Sequence, residues 1–314
     1  MNNDIEVSIC CITYNQEKYI KEALESFLSQ KTEFSYEIVI HDDASTDNTV
    51  KILKQYKKKY PNKIVLILEK ENQYSKRPNS VLEIVFNKAR GKYIALCEGD
   101  DGFCDDEKLS MQYKYMKSHN YSFCSHNTKI VDENSNLVDK IEPYDKKIIT
   151  ITDFLNTRQS MHTSSMFFAK KDVLNLPKFF KESIVGDLPL KLYLLSKGNC
   201  YNINKECSFY RENTINSWSF KQKNSKNIKY KNFQSEINTY LEFNKFTNYK
   251  YNKEIKDKII KIEFNYFKNE NNLKKIKEKK YRNLYIKLST KEKIKLYIKQ
   301  TIIYKIYYKI KYKK

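Results

Sequence analysis

Four short apolar runs, separated by segments of helical period, constrain this chain more than any other feature. They are Glu6–Thr13 (EVSICCIT), Tyr36–His41 (YEIVIH), Ile64–Leu68 (IVLIL) and Tyr93–Cys97 (YIALC). Runs of strand length that are apolar throughout suit parallel strands covered on both faces. Between the first two, Tyr19, Ile20, Ala23, Leu24, Phe27 and Leu28 recur at helical spacing. Between the second and third, Ser45 is placed to cap a helix with Val50, Leu53 and Tyr56 on its inner face, ended by Pro61. Val81–Ala89 reads as a helix stopped at Gly91. This alternation predicts an α/β fold: a mixed, mainly parallel sheet with helices on both faces.

The pattern continues with a helix from Asp106 to about Ser118, a strand over Tyr121–Val131 and a turn at Asp132–Asn136. A short helix at Asp153–Asn156, a strand at Ser164–Ala169 and a helix at Leu188–Ser196 follow. From about Lys221 lysine, asparagine and tyrosine take over and helix dominates. The expected division is a catalytic domain over 1–220 and a lysine-rich helical extension over 221–314. Ser289-Thr-Lys-Glu292 fits a capping box. Behind it Ile294, Ile298, Ile302, Ile306 and Ile310 recur every fourth residue among lysines. That basic amphipathic helix has two readings: packing on its own domain, or lying on an anionic membrane surface.

Composition narrows the functional classes. Lys and Arg number 59 against 38 Asp and Glu, a net charge of +21, and there are 26 tyrosines. Basic charge with aromatics is one footprint of nucleic-acid binding. No nucleic-acid motif accompanies it here, and the clustered acids described below oppose it, so no nucleic-acid partner is expected. Seven cysteines with no Cys-x-x-Cys pair argue against a disulfide framework or a zinc site and for a reducing compartment. The start, MNNDIEVSICCITYN, lacks the features of a secretory leader, and no apolar run approaches the roughly 20 residues of a membrane span. A cytoplasmic protein is expected, peripheral at the inner face of the plasma membrane if the terminal helix binds lipid.

In open α/β sheets ligands sit beyond the carboxyl ends of the strands. Three such ends here are polar: Thr13-Tyr14-Asn15, Asp42-Asp43 and Glu98-Gly99-Asp100-Asp101. An aromatic with hydroxyl and amide neighbours suits a base and ribose. Of Asp42 and Asp43, one is placed to cap the following helix while the other faces ligand. Acids spaced around a glycine can hold a hard divalent cation, Mn²⁺ or Mg²⁺, which takes carboxylate and phosphate oxygens. In so basic a chain, three adjacent acids at a buried strand end make sense when a cation and a diphosphate share the site.

The segments TYNQEKYIKEALESFLSQ, EIVIHDDASTDNT and GKYIALCEGDD, in this order and spacing, resemble family 2 glycosyltransferases of the GT-A fold, over roughly residues 5 to 220. The resemblance implies an inverting, metal-assisted glycosyltransferase. Its donor would be a nucleotide-sugar, UDP- or dTDP-linked, and its acceptor a growing surface glycan or lipid-linked glycan. The fourth-strand acids then correspond to a DxD-type motif in which Glu98 replaces the first Asp. Asp100 becomes the direct metal ligand with Glu98 beside it, and Asp101 the alternative. Thr13, Tyr14, Asn15 and Asp43 would line the nucleotide pocket. Val185-Gly186-Asp187 resembles the segment opening the acceptor-side helix. This makes Asp187 the candidate base, with a helix N-cap as its simpler role. Met161-His162-Thr163 resembles the stretch before the acceptor-side strand, where His162 would meet donor phosphate or acceptor. Phe209-Tyr210-Arg211 and Asn216-Ser217-Trp218 resemble a closing loop over the diphosphate; the simpler role of Trp218 is a core anchor.

Overall fold

The computed structural model describes residues 4–140, 146–157, 161–184, 186–212 and 225–300. The chain divides into two compact units, Met1–Phe243 and Asn244–Lys314. In the first unit the order begins β1 (Val7–Thr13), α1 (Ile20–Leu28), β2 (Tyr36–Asp42), α2 (Thr49–Lys59) and β3 (Ile64–Leu68). It continues through α3 (Gln73–Lys76), α4 (Ser80–Lys88), β4 (Tyr93–Glu98), β5 (Gly102–Phe103), α5 (Lys108–Ser118) and β6 (Phe123–Val131). Then come β7 (Leu137–Lys140), β8 (Ile148–Ile149), α6 (Ile151–Asn156), β9 (Phe167–Ala169), α7 (Lys178–Glu182), α8 (Asp187–Lys197) and β10 (Cys200–Arg211). The helix Lys226–Phe246 crosses the division between the units.

The ten strands form one mixed sheet in the order β3-β2-β1-β4-β9-β6-β10-β5, with β7 beside β6 and β8 beside β10. β3, β2, β1 and β4 are mutually parallel. β2 is buried along its whole length and β1 at all but Ile12, as their continuous apolar runs predict. Helix α1 covers one face by burying Ile20, Ala23, Leu24 and Phe27, the i, i+3, i+4, i+7 stripe. Helix α4 packs Val81, Val85 and Phe86 inward, with the Phe86 ring edge-on to Phe168 of β9. In the parallel register Thr13 lies opposite Asp42, and Ile12 opposite Glu98. The three polar strand ends therefore meet along one edge of the sheet.

Two expectations changed, and one strand was not anticipated. The helix expected from Ser45 begins at Thr49, because Ser45 closes a turn on Asp42 instead. Its N–H and Oγ both donate to the Asp42 carboxylate (3.0 and 2.6 Å), and Ala44 takes φ 63°. The strand expected over Ser164–Ala169 is confined to Phe167–Ala169; Thr163–Ser165 winds into a 3-10 turn. Strand β10 was not legible, since Asn202-Ile-Asn-Lys-Glu206 interrupts its apolar pattern and the pairing with β6 bulges there.

Among the described residues the second unit is helical, with Asn252–Asn269 and Thr290–Gln300 the longest helices wholly within it. Its core gathers Phe264, Leu273, Ile276, Tyr281, Leu288 and Leu296. The expected capping box is present: Ser289 Oγ accepts from Glu292 N–H (3.2 Å) and the Glu292 carboxylate accepts from Ser289 N–H (3.0 Å). Ile302, Ile306 and Ile310 lie outside the described residues.

Candidate active site

The site starts where β4 runs out. Glu98, Asp100 and Asp101 each bring one carboxylate oxygen within 4.8 Å of the others. Gly99 makes this packing possible. A β-carbon there would lie 2.5 Å from Gln16 Oε1 and 2.9 Å from both Thr13 Cβ and Ile20 Cδ1. Only glycine lets the acidic loop settle against the end of β1.

The three acids carry unequal burdens. Asp101 is buried, and one of its oxygens accepts from the Arg211 backbone N–H (2.9 Å). Its other oxygen, Oδ2, and Asp100 Oδ1 are buried with no hydrogen-bond partner among the described residues. Thr13 Oγ1 and Gln16 Oε1 are in the same condition. Burial raises the carboxyls of all three acids, and mutual repulsion adds to it at Glu98 and Asp101. Glu98 is exposed to solvent, yet protein atoms crowd its carboxyl. That crowding, with the charges of Asp100 and Asp187, pushes it up to about 8 against the opposing pull of Lys191. A cluster of raised carboxylates with orphaned oxygens fits a hard divalent cation, which would take those lone pairs and offset the repulsion.

Arg211 underpins the cluster. Its side chain is 1% exposed and lies at the end of β10, not in a loop above the ligand. It donates to the Asp100 carbonyl (3.0 Å), the Asp132 carbonyl (2.8 Å), Ser135 Oγ (3.0 Å) and Glu22 (2.6 Å). The guanidinium also lies over the Tyr19 ring, 4.7 Å from its centroid. One cation thus ties the acidic loop to α1 and to the β6–β7 turn.

The other strand ends take distinct roles. Tyr14 is 42% exposed beside them. Asn15 takes φ 52°, and its side-chain oxygen accepts from Thr46 N–H (2.7 Å), so it laces two loops together. Both Asp43 oxygens accept backbone N–H groups at the start of α3, from Gln73 (2.6 Å) and Tyr74 (3.0 Å). Tyr74 is 41% exposed, and crowding by protein atoms, then the Glu98 charge, raises its phenol.

Asp187 is the first residue of α8, with Gly186 at the N-cap position. One oxygen accepts from Leu188 N–H (2.8 Å) and the other from Lys191 Nζ (2.6 Å), one turn along. Burial would raise this carboxyl, but the charge and hydrogen bond of Lys191 outweigh it and hold it below the usual range. Asp187 is therefore ionised at neutral pH. Asp187 lies near enough for its charge to act on both Glu98 and His162.

His162 caps the 3-10 turn, its Nδ1 accepting from Ser164 N–H (3.3 Å), and its ring lies tilted against Tyr210, 4.4 Å between centroids. Burial and the Lys191 charge lower it to about 3, against Asp187, so it is neutral. With Nδ1 accepting, Nε2 carries the proton. Its 3.8 Å approach to Asp101 is then no ion pair. Trp218 lies outside the described residues.

Sequence reasoning placed Thr13, Glu98, Asp100, Asp101, His162 and Asp187 near one another but missed Gln16, Tyr74 and Lys191. Lys191 had a signal, its i,i+4 spacing from Asp187. Gln16 directly follows Thr13-Tyr14-Asn15. Tyr74 had none, lying in a polar stretch.

This architecture is that of the GT-A nucleotide-sugar transferases. The chain covers 92% of itself and 77% of the UDP complex of Staphylococcus aureus TarS (residues 1–349), with a TM-score of 0.58 at 16% identity. The model for glycosyl transferase family 2 matches residues 8–175, more than half of the chain, and the chain belongs to that family. It is 37% identical over 166 residues to an uncharacterised Mycobacterium tuberculosis protein, covering 52% of this chain and 47% of that one. It thus spans about half the length of that curated relative. TuaG of Bacillus subtilis, provisionally named a teichuronic acid biosynthesis glycosyltransferase, is 29% identical over 219 residues, 68% of this chain and 83% of TuaG. Among the described residues no helix is long and apolar enough to cross a membrane.

Proposed function

We propose that the chain is an inverting glycosyltransferase that moves a sugar from a UDP- or dTDP-linked donor to a hydroxyl of a surface glycan or its lipid-linked precursor. The supporting observation is a cluster of three acids able to hold a cation, with the lowered carboxyl of Asp187 near enough for its charge to act on Glu98. Catalysis sits in the unit that carries the sheet, with the lysine-rich helices as an appendage. Glu98 and Asp100 would hold Mn²⁺ or Mg²⁺, with Asp101 beside them. The ion would supply positive charge to the departing diphosphate. Thr13 and Tyr14 offer a hydroxyl and an aromatic face to the nucleoside, while Asn15 and Asp43 hold the walls of its pocket. Neutral His162 offers an Nε2–H to an oxygen of donor or acceptor. Trp218 belongs to the proposed donor cover. Asp187 takes the proton from the acceptor hydroxyl as that oxygen bonds to C1 of the sugar. The C1–O bond to phosphate breaks, and its electron pair leaves with the nucleoside diphosphate. Lys191 keeps Asp187 ionised and aimed. TuaG's name favours an acidic polymer as product, and we assign the reaction to the cytoplasm at the inner membrane face.

The test is nucleoside diphosphate release by the full chain across UDP-, dTDP-, GDP- and CDP-sugars with Mn²⁺. Asp187→Asn is expected to slow turnover about 10²–10⁴-fold while nucleotide binding persists. Undiminished turnover in that variant removes Asp187 as base, and a product of retained configuration removes inversion.

A further inference from the structure

The charge of this protein is not spread evenly. Residues 244–314 hold 23 Lys and Arg against 6 Asp and Glu, a net +17 out of the chain's +21, which leaves +4 for residues 1–243. The glycosyltransferase unit is nearly neutral. The second unit is a cationic body.

Its helix Thr290–Gln300 has two apolar faces. Leu296 is buried, part of the unit's own core with Phe264, Leu273, Ile276, Tyr281 and Leu288. At 3.6 residues per turn, Ile294 and Ile298 project about 180° away from Leu296. They are 53% and 51% exposed. Lys291 and Lys295 flank them on one side. Tyr297, 48% exposed, flanks them on the other and accepts a hydrogen bond from Lys277. Ile286 is 59% exposed, and its carbonyl accepts from Lys293 Nζ (3.1 Å). A packed helix needs only its Leu296 face. Branched apolar side chains bordered by lysines and a tyrosine make up the composition of a helix seated in a bilayer interface.

We infer that the second unit docks the enzyme on an anionic lipid membrane, with Ile294 and Ile298 entering the acyl boundary and the surrounding lysines meeting lipid phosphates. Charge complementarity selects this occupant. Each lysine brought to an anionic leaflet strengthens partitioning by about fivefold. The isoleucines add an apolar anchor that a soluble polyanion could not use. Docking is separate from sugar transfer, so either can fail without the other.

The experiment is co-sedimentation of the full chain with vesicles of phosphatidylcholine alone or of equimolar phosphatidylcholine and phosphatidylglycerol, at low and high salt. Binding is expected only to the anionic vesicles and to weaken with salt. The pair Ile294→Asp and Ile298→Asp should lower it by about tenfold or more. Lys291→Gln with Lys295→Gln should lower it and flatten the salt response. All variants should keep the parent melting temperature and their turnover on a soluble acceptor. Equal binding to both vesicle types, binding unchanged by the isoleucine pair, or RNA that displaces vesicles at physiological salt would each overturn the assignment.

Discussion

Replacing Glu98 by glutamine should stabilise the metal-free chain at neutral to alkaline pH and leave it nearly unchanged in acid. In the folded chain crowding and the charges of Asp100 and Asp187 push Glu98 up to about 8, whereas its ordinary value is 4.5. Between those values the native state holds a proton that the unfolded state has released. Stability therefore falls as pH rises through the window, and the penalty is complete above the folded value. The ceiling is about 1.4 kcal/mol per pH unit for one proton. Glu98 meets solvent on its outer side, and screening cuts the total to about 1–2 kcal/mol. Urea unfolding in the presence of a chelator at about pH 5 and about pH 8 measures it. The variant should match the parent near pH 5 and exceed it by about 1–2 kcal/mol near pH 8. Mn²⁺ should remove most of the parent's slope and little of the variant's. An equal difference at both pH values, or a variant that is less stable near pH 8, would refute the reasoning.

Arg211→Met strips donors from the Asp100 and Asp132 carbonyls and should cost about 3–5 kcal/mol in urea unfolding, with Lys recovering only part. A loss below about 1 kcal/mol would remove Arg211 as the keystone of the acidic loop. Gly99→Ala should cost about 1–3 kcal/mol and weaken nucleotide binding. Ala at Gly198 is the control, since its β-carbon would meet nothing closer than 3.5 Å. In Lys191→Met the Asp187 carboxyl loses the partner that lowers it, so the acid limb of the kcat/KM profile should move to higher pH, and Arg should restore it. An unmoved limb would show that Lys191 does not set the base.

The fold was legible where burial is two-sided. Val7–Thr13, Tyr36–Asp42 and most of Tyr93–Glu98 carry their strand identity in the residues themselves, because nearly every position is buried, while Ile64–Leu68 shows it through its apolar run alone. The two-residue strands and β10 were hidden. Their pairing is dictated by neighbours brought in from distant sequence, and Asn202 and Ser208 are buried polar residues that sequence pattern assigns to a surface. In the site, types and spacing announced Glu98, Asp100 and Asp101 as a cluster. They did not announce that Asn15 and Asp43 spend hydrogen-bonding capacity on loops, since those partners, Thr46, Gln73 and Tyr74, are some 30 residues away. Ser45 was misread as a helix cap for a related reason: its hydroxyl is as well satisfied by the Asp42 carboxylate as by a helix N-terminus.

The most direct test of the central claim, that the β4 acids take a cation which in turn takes a nucleoside diphosphate, is the thermal stability of the full chain with UDP or dTDP, with Mn²⁺ and with chelator. A ligand held only by the folded state should raise Tm by about 5–10 °C at a hundredfold excess over Kd, with metal present and not without it. Asp100→Asn should abolish the shift. A shift of the same size in chelator, or one that survives Asp100→Asn, would contradict the assignment of these acids.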